Sequence, residues 1–177
     1  MHFTTTYNSP FGTLILASDG EELTGLWFEG QKNFGSTLGG EVREKTLPIF
    51  NDAFKWLDIY FSGMEPISTP ALKLAGTDFQ KSVWSVLLTI PYGKTMTYGQ
   101  IADLVARDTN RGKMSAQAVG GAVGKNPISI IVPCHRVVGT GGKLTGYAAG
   151  LEVKKKLLEL EQDLYLSIST PTCKEEA

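Results

Sequence analysis

The segment Pro133-Cys134-His135-Arg136-Val137-Val138 sets a thiol beside an imidazole, directly after the apolar run Ile128-Ser129-Ile130-Ile131-Val132. The chain of 177 residues holds two cysteines, Cys134 and Cys173, and two histidines, His2 and His135. Half of each small stock therefore sits at one point. A cysteine is a nucleophile only as its thiolate, so a neighbour must take the proton or lower the pKa. His135 is the neighbour in sequence. If the apolar run is a strand, adjacent side chains point to opposite faces, and direct contact is not assured. A water between the two, or a turn at Pro133, which lacks an N–H and favours a break, resolves this.

An imidazole base works best when a carboxylate orients its other nitrogen. The segment GLEVKKKLLELEQ, read as a helix, offers two candidates. Glu152 stands four residues before Lys156 and is expected in solvent as an ion pair. Glu161 follows Leu157, Leu158 and Leu160, which face a core, and is placed to reach inward. Taken as an isolated dipeptide, Cys-His more often marks an inert buried cysteine. Two cysteines and two histidines without CxxC or HxxxH spacing give no zinc ligand set, so neither metal nor cofactor is expected. Cys173 lies in a polar tail, TPTCKEEA, and receives no role.

The elements around this pair are of two kinds, and the expected fold class is α+β. Residues 1–30 carry β-branched and aromatic runs, TTTYNS, TLILAS and LTGLWFE, split by turn signals at SPFG and SDGEE. Residues 31–46, rich in Gly and charge, are expected to be a loop. PIFNDAFKWLDIYFSG has one apolar helical face closed by Gly63. A small antiparallel-sheet and helix unit over residues 1–70 follows, then an extended linker, STPALKLAG. From 71 to 169 the pattern turns helical, and 170–177 form a tail. Thr77-Asp78-Phe79-Gln80 and Thr97-Tyr98-Gly99-Gln100 are capping boxes. Ser115 caps a third helix, AQAVGGAVG, whose Gly120 and Gly121 weaken it in isolation but permit close approach to its backbone. The second and third of these helices resemble a helix-turn-helix with a long basic turn at 107–114. The pattern alone fits a structural helix pair as well.

Composition is that of an ordinary globular protein, 42% apolar and 20% charged. No apolar run reaches the length of a membrane span. The N-terminus lacks the basic start and apolar core of a signal peptide, and two cysteines make no disulfide framework, so a cytoplasmic setting is expected. The net charge of −1 hides an asymmetry. Residues 1–70 hold four Lys/Arg against nine Asp/Glu, whereas residues 81–143 hold eight against two. A local basic field suits a polyanion, and a solvated surface fits it equally well.

In its longer frame, PCHRVV is preceded by AVGGAVGKNPISIIV and followed by GTGGKLTGYAAGLEVKKKLLELE. This frame resembles the O6-alkylguanine-DNA alkyltransferases, closely from Phe79 to Glu161 and more loosely to the N-terminus. The resemblance implies that Cys134 accepts an alkyl group from O6 of guanine, once per molecule. His135 is implied to relay the thiol proton through a water, Glu161 to orient it, and Tyr98 to donate to the guanine ring. Asn126 matches a hinge between the recognition helix and the acceptor. Tyr147 and the Ala148 amide match the wall of the base pocket, and the carbonyls of Cys134 and Val137 match readers of the guanine amine. Ser115, Ala116, Gln117, Ala118, Gly120, Gly121 and Arg136 match the DNA-contacting set. The implied partner is double-stranded DNA carrying alkylated guanine, bound by a monomer, and the first unit is implied to be ribonuclease-H-like.

Two positions depart from many relatives. Gln117 stands where an arginine fills the gap left by the flipped base, and Ala148 stands where others carry serine. The segment ARDTNRGK is also longer than in several relatives. Its Arg107, Arg111 and Lys113 are candidate phosphate contacts, with a solvated loop as the rival reading. Relatives that only bind damaged DNA lack the acceptor cysteine, and Cys134 speaks against that class. A Cys-His hydrolase finds no oxyanion motif here, and an alkylation-sensing regulator would need further cysteines.

Overall fold

The structure is a computed structural model and describes residues 1–169, with side chains to residue 162. Cys173 lies outside the described residues. The first unit opens with β1 (His2–Ser9), β2 (Gly12–Ser18) and β3 (Leu23–Phe28), followed by the short β4 (Val42–Glu44) and helix α1 (Pro48–Phe61). The sheet order is β3-β2-β1-β4. β1 and β2 form a hairpin with Phe3 opposite Ser18 and Ser9 opposite Gly12. Its tight turn is held by the Ser9 hydroxyl, which donates to the Gly12 carbonyl at 2.6 Å. Leu14, Leu16, Leu26 and Phe28 pack with Phe50, Ala53, Leu57 and Tyr60 of α1 in one apolar cluster.

Two expectations need correction here. The stretch 31–46 is not wholly loop, because β4 lies within it. The sheet is also not wholly antiparallel: β4 runs parallel to β1, with His2 opposite Val42. Three consecutive exposed residues, Val42-Arg43-Glu44, carry no burial pattern for a sequence reading to detect.

β3 would be an open sheet edge, yet all six of its residues are buried. Two short segments cover that edge. Leu23 pairs with Leu72 of the linker, and Leu26 pairs with Ile128. Pairing satisfies the unpaired backbone groups that make an edge prone to association. It also fastens the segment before Cys134 to the sheet of the first unit.

The second part contains α2 (Asp78–Leu87), β5 (Met96–Thr97), α3 (Tyr98–Asp108), α4 (Ala116–Gly124), β6 (Val137–Val138) and α5 (Leu151–Ser169), with single 3₁₀ turns at Cys134–Arg136 and Thr140–Gly142. Both capping boxes form as the sequence requires: Thr77 Oγ1 accepts from Gln80 N and Thr97 Oγ1 from Gln100 N, each at 3.1 Å. Ser115 Oγ accepts from Ala118 N at 3.1 Å and starts α4. α4 packs Val119, Ala122 and Val123 inward against α2 and α3. Its backbone is pinned where the Trp84 indole donates to the Ala122 carbonyl at 2.9 Å.

Candidate active site

The apolar run Ile128–Val132 was read as a strand, and it forms none beyond a single bridge. After the single bridge at Ile128 the chain turns, and Ile130 takes a left-handed conformation at φ +70° while fully buried. Such a conformation is strained for a β-branched residue and persists only when its surroundings impose it. Asn126 imposes it. Its Nδ2 donates to the Val132 carbonyl at 2.8 Å, and its Oδ1 accepts from Ile128 N at 3.0 Å. An apolar run reports burial, and a buried turn looks like a buried strand by that measure.

The turn delivers Cys134 to the start of the 3₁₀ turn Cys134–Arg136, so the expected break at Pro133 is present. β6 follows at once and pairs in parallel with β5, Met96 opposite Val137 and Thr97 opposite Val138. Tyr98 is the residue after β5. The two-residue ladder therefore brings the Tyr98 phenol and the Cys134 thiol to one place. Both line a cavity of about 310 Å³, together with Gly120, Gly121 and Gly124 of α4, Gly146, Tyr147 and Ala148. Thr145 Oγ1 donates to the Tyr98 hydroxyl at 3.2 Å.

Behind the thiol lies a sealed polar cluster. His135 and Glu161 are both fully buried, and His135 Nε2 bonds Glu161 Oε2. The carboxylate also accepts from Arg136 Nε at 2.6 Å, the Tyr60 hydroxyl at 3.0 Å and Gly93 N at 3.1 Å. Burial alone would raise the Glu161 carboxyl, but the His135 hydrogen bond, the charge of Arg136 and the Gly93 amide outweigh it and bring it down to about 2. Glu161 is therefore ionised. Burial pushes His135 below its ordinary value and Arg136 adds to this, with Glu161 opposing. His135 is therefore a neutral imidazole near pH 7. With Nε2 facing a carboxylate, the proton is assigned to Nε2, leaving a lone pair on Nδ1. Nδ1 is buried and has no hydrogen-bond partner within the protein.

The Cys134 thiol is raised by burial, while Asn126, the Lys154 ammonium and Tyr147 each favour its ionisation. The Tyr147 hydroxyl is buried and makes no well-formed hydrogen bond, although it lies near enough to Cys134 for each group to raise or lower the other. Among the described residues no group of three or more His, Cys, Asp or Glu is placed to hold a metal.

Most of the residues singled out in the sequence converge here, with one correction. Arg136 was expected among the DNA contacts. It is only 9% exposed, and besides Glu161 it donates to the Ile90 carbonyl at 2.7 Å. It faces the cluster, not the surface. The Val137 carbonyl is already engaged as well, accepting from Lys154 Nζ at 2.5 Å. Ser115, Ala116, Gln117 and Ala118 are exposed on α4. Gly120 abuts the Tyr98 ring, and a Cβ added at Gly121 would meet only open space.

Two contributors escaped the sequence reading. Tyr60 lies in the other unit, in a helix read only as core. Lys154 is fully buried and also donates to the Thr145 carbonyl at 3.0 Å. Helical spacing carried the signal for Lys154: it shares the inward face with Leu157 and Glu161, at three and seven residues' distance.

The fold and site define a class: an α+β protein with a buried cysteine, backed by a buried His–Glu pair, that opens onto a cavity beside a small-residue helix. Comparison with known proteins narrows this. Residues 2–74 match the ribonuclease-like domain of 6-O-methylguanine DNA methyltransferase, and residues 78–163 match its DNA binding domain. The methylated-DNA–protein-cysteine methyltransferase of Mycobacterium leprae is 45% identical over 92% of this chain and 94% of its own. That of Haemophilus influenzae is 42% identical over 96% and 92%. A crystal structure of Mycobacterium tuberculosis OGT in complex with DNA superposes with a TM-score of 0.80 at 44% identity, covering 92% of this chain and 94% of that one. The chain belongs to the methylated-DNA–protein-cysteine methyltransferase family.

Proposed function

We propose that this protein repairs DNA by direct reversal, moving the alkyl group from O6 of an alkylated guanine to Cys134 in a single turnover. The observation that carries this is the placement of a lone thiol in a base-sized cavity, with a neutral imidazole behind it and a helix of small residues beside it. α3 and α4 are read as a helix-turn-helix, with α4 the recognition helix. The open space beside Gly121 and the exposed Ala116 and Ala118 support close approach by a sugar-phosphate wall. Entry of the base requires that it leave the stack, at a cost of a few kcal/mol.

In the reaction, the thiol proton passes through a water to His135 Nδ1, whose tautomer Glu161 fixes. The thiolate sulfur bonds the alkyl carbon as the carbon–O6 bond breaks, and the electron pair stays with the guanine. Guanine gains a proton from Tyr98, which regains one from solvent, and His135 returns its proton likewise. The product is a thioether with no leaving group for water to displace, so the chain acts once. Tyr147 and the Ala148 amide bound the base, and the carbonyls of Cys134 and Val137 read its amine, Val137 with the second lone pair that Lys154 leaves open. Asn126 acts as a positioning residue through the turn it holds. The protein is read as a cytoplasmic monomer: an acceptor thiol must stay reduced.

Intact mass after mixing with an oligonucleotide carrying one O6-methylguanine tests this reading. The expected result is a gain of one methylene, mapped to Cys134, saturating at one per chain and absent in Cys134→Ala. Tight binding to the damaged oligonucleotide with no mass change would instead place the protein among non-catalytic binders.

A further inference from the structure

We propose that the turn Gln31–Asn33 of the N-terminal unit is a wall of the acceptor cavity, and that Asn33 limits the size of alkyl group the cavity takes. The inference rests on the alkyl-transfer reading above. Lys32 and Asn33 line the same cavity as Cys134, Tyr98 and Tyr147, although they belong to the other unit. The turn is stitched to the second part at three points. Gln31 Oε1 accepts from Ser129 Oγ at 3.3 Å. Lys32 N donates to the Ala148 carbonyl at 3.1 Å. Asn33 Nδ2 donates to the Gly124 carbonyl at 2.9 Å.

The last two bonds go to different walls. Ala148 belongs to the loop before α5, and Gly124 is the last residue of α4. The final carbonyls of a helix have no partner within it, and the Asn33 amide supplies one. Asn33 also sits at φ +59°, a left-handed conformation that asparagine tolerates better than other side-chain-bearing residues. Asn33 thus ties the end of the recognition helix to the turn, and its neighbour Lys32 ties the turn to the pocket loop. At about 310 Å³ the cavity lies at the lower end of small-molecule sites, which span roughly 300–1,000 Å³. A guanine with a small alkyl group fits such a space, and a bulky group must push a wall back. The wall with the fewest covalent constraints is this turn, since it reaches the cavity from another unit through three hydrogen bonds.

Asn33→Gly removes the amide while keeping the backbone conformation unstrained, which alanine would not. The measurement is the single-turnover transfer rate on duplexes that differ only in carrying O6-methylguanine or O6-benzylguanine. The benzyl-to-methyl rate ratio is expected to rise about three- to tenfold in Asn33→Gly, the worth of one hydrogen bond. Thr37→Val is the control. It lies in the same loop and its hydroxyl donates to the Thr24 carbonyl of β3 at 2.9 Å, away from the cavity, and its ratio should stay at the wild-type value. An unchanged ratio in Asn33→Gly, or an equal rise in Thr37→Val, overturns the assignment. If the wild-type protein transferred neither group, the alkyl-transfer reading itself would have failed, a separate result.

Discussion

Arg136 Nε donates to Glu161 Oε1 at 2.6 Å with both side chains shielded from solvent, so the carboxylate that bonds His135 is held by a permanent cation. Truncating one member of a buried pair strands the other. Arg136→Ala is expected to lower stability by about 3 kcal/mol, on the scale of such truncations, read from urea unfolding. It should leave the salt dependence of DNA affinity unchanged, because a buried guanidinium releases no counterions. A shallower salt slope in a folded Arg136 variant would return this residue to the DNA surface.

Stability should fall with acid in two stages. His135 is held below its ordinary value by burial, so the folded protein takes up its proton less readily than the unfolded chain. Its contribution is present above about pH 6.5, the unfolded value, and is lost as pH falls below it. Glu161 is lowered from 4.5 to about 2, so its contribution is present above 4.5 and lost as pH falls through to 2. The shift corresponds to about 3 kcal/mol at 1.36 kcal/mol per pH unit. Urea midpoints between pH 8 and 3 should decline over both windows, and Glu161→Gln should flatten the lower one.

The transfer rate should follow the first of these windows. The thiol is raised by burial, so little thiolate exists near neutrality without a base. The rate is therefore expected to drop as His135 takes up a proton. His135→Gln should lose that acid limb and slow transfer about a hundredfold or more, the usual worth of a positioned base. A His135→Gln protein with an unchanged pH profile would remove His135 from the proton path.

Lys154 binds the Val137 and Thr145 carbonyls from inside the protein, spanning the strand after the acceptor and the loop beneath Tyr147. Burial lowers its pKa, with the Cys134 charge opposing. Lys154→Met fills similar space without a donor. About 2 kcal/mol of stability should be lost for the unsatisfied carbonyls, seen as a lower Tm. Transfer should slow as well, because the loop walls lose their common anchor. A Lys154→Met protein of lowered Tm but wild-type rate would confine Lys154 to a structural role.

Gln117 is exposed near the start of α4. On the proposed reading, Gln117→Arg adds a charge and a planar group where a base leaves the stack. The log-log salt slope of DNA affinity should steepen by about one unit. Repair should also quicken when DNA is limiting. A variant that binds and repairs no better would show that glutamine fills the gap equally well.

What the sequence by itself determined is what local physics determines. Thr77, Thr97 and Ser115 cap helices because each hydroxyl serves an amide three residues on, a relation contained within one turn. Glu161 points inward because its helix buries one face, and the same spacing held an unread signal for Lys154. Cys134 and His135 were legible by scarcity and by the frame around them.

Only the tertiary structure decided which buried group meets which. Periodicity reports that a residue is inside and is silent on its partner. Arg136 therefore read as a surface cation until Glu161, 25 residues on, neutralised it within the core. Ile128–Val132 read as a strand because apolar content does not distinguish a buried strand from a buried turn, and the Asn126 side chain makes the turn. Asn33 was invisible as a cavity wall because its partner Gly124 lies 91 residues away. A contact across that distance has no local signature, and it forms only once both units have folded and their surfaces have met.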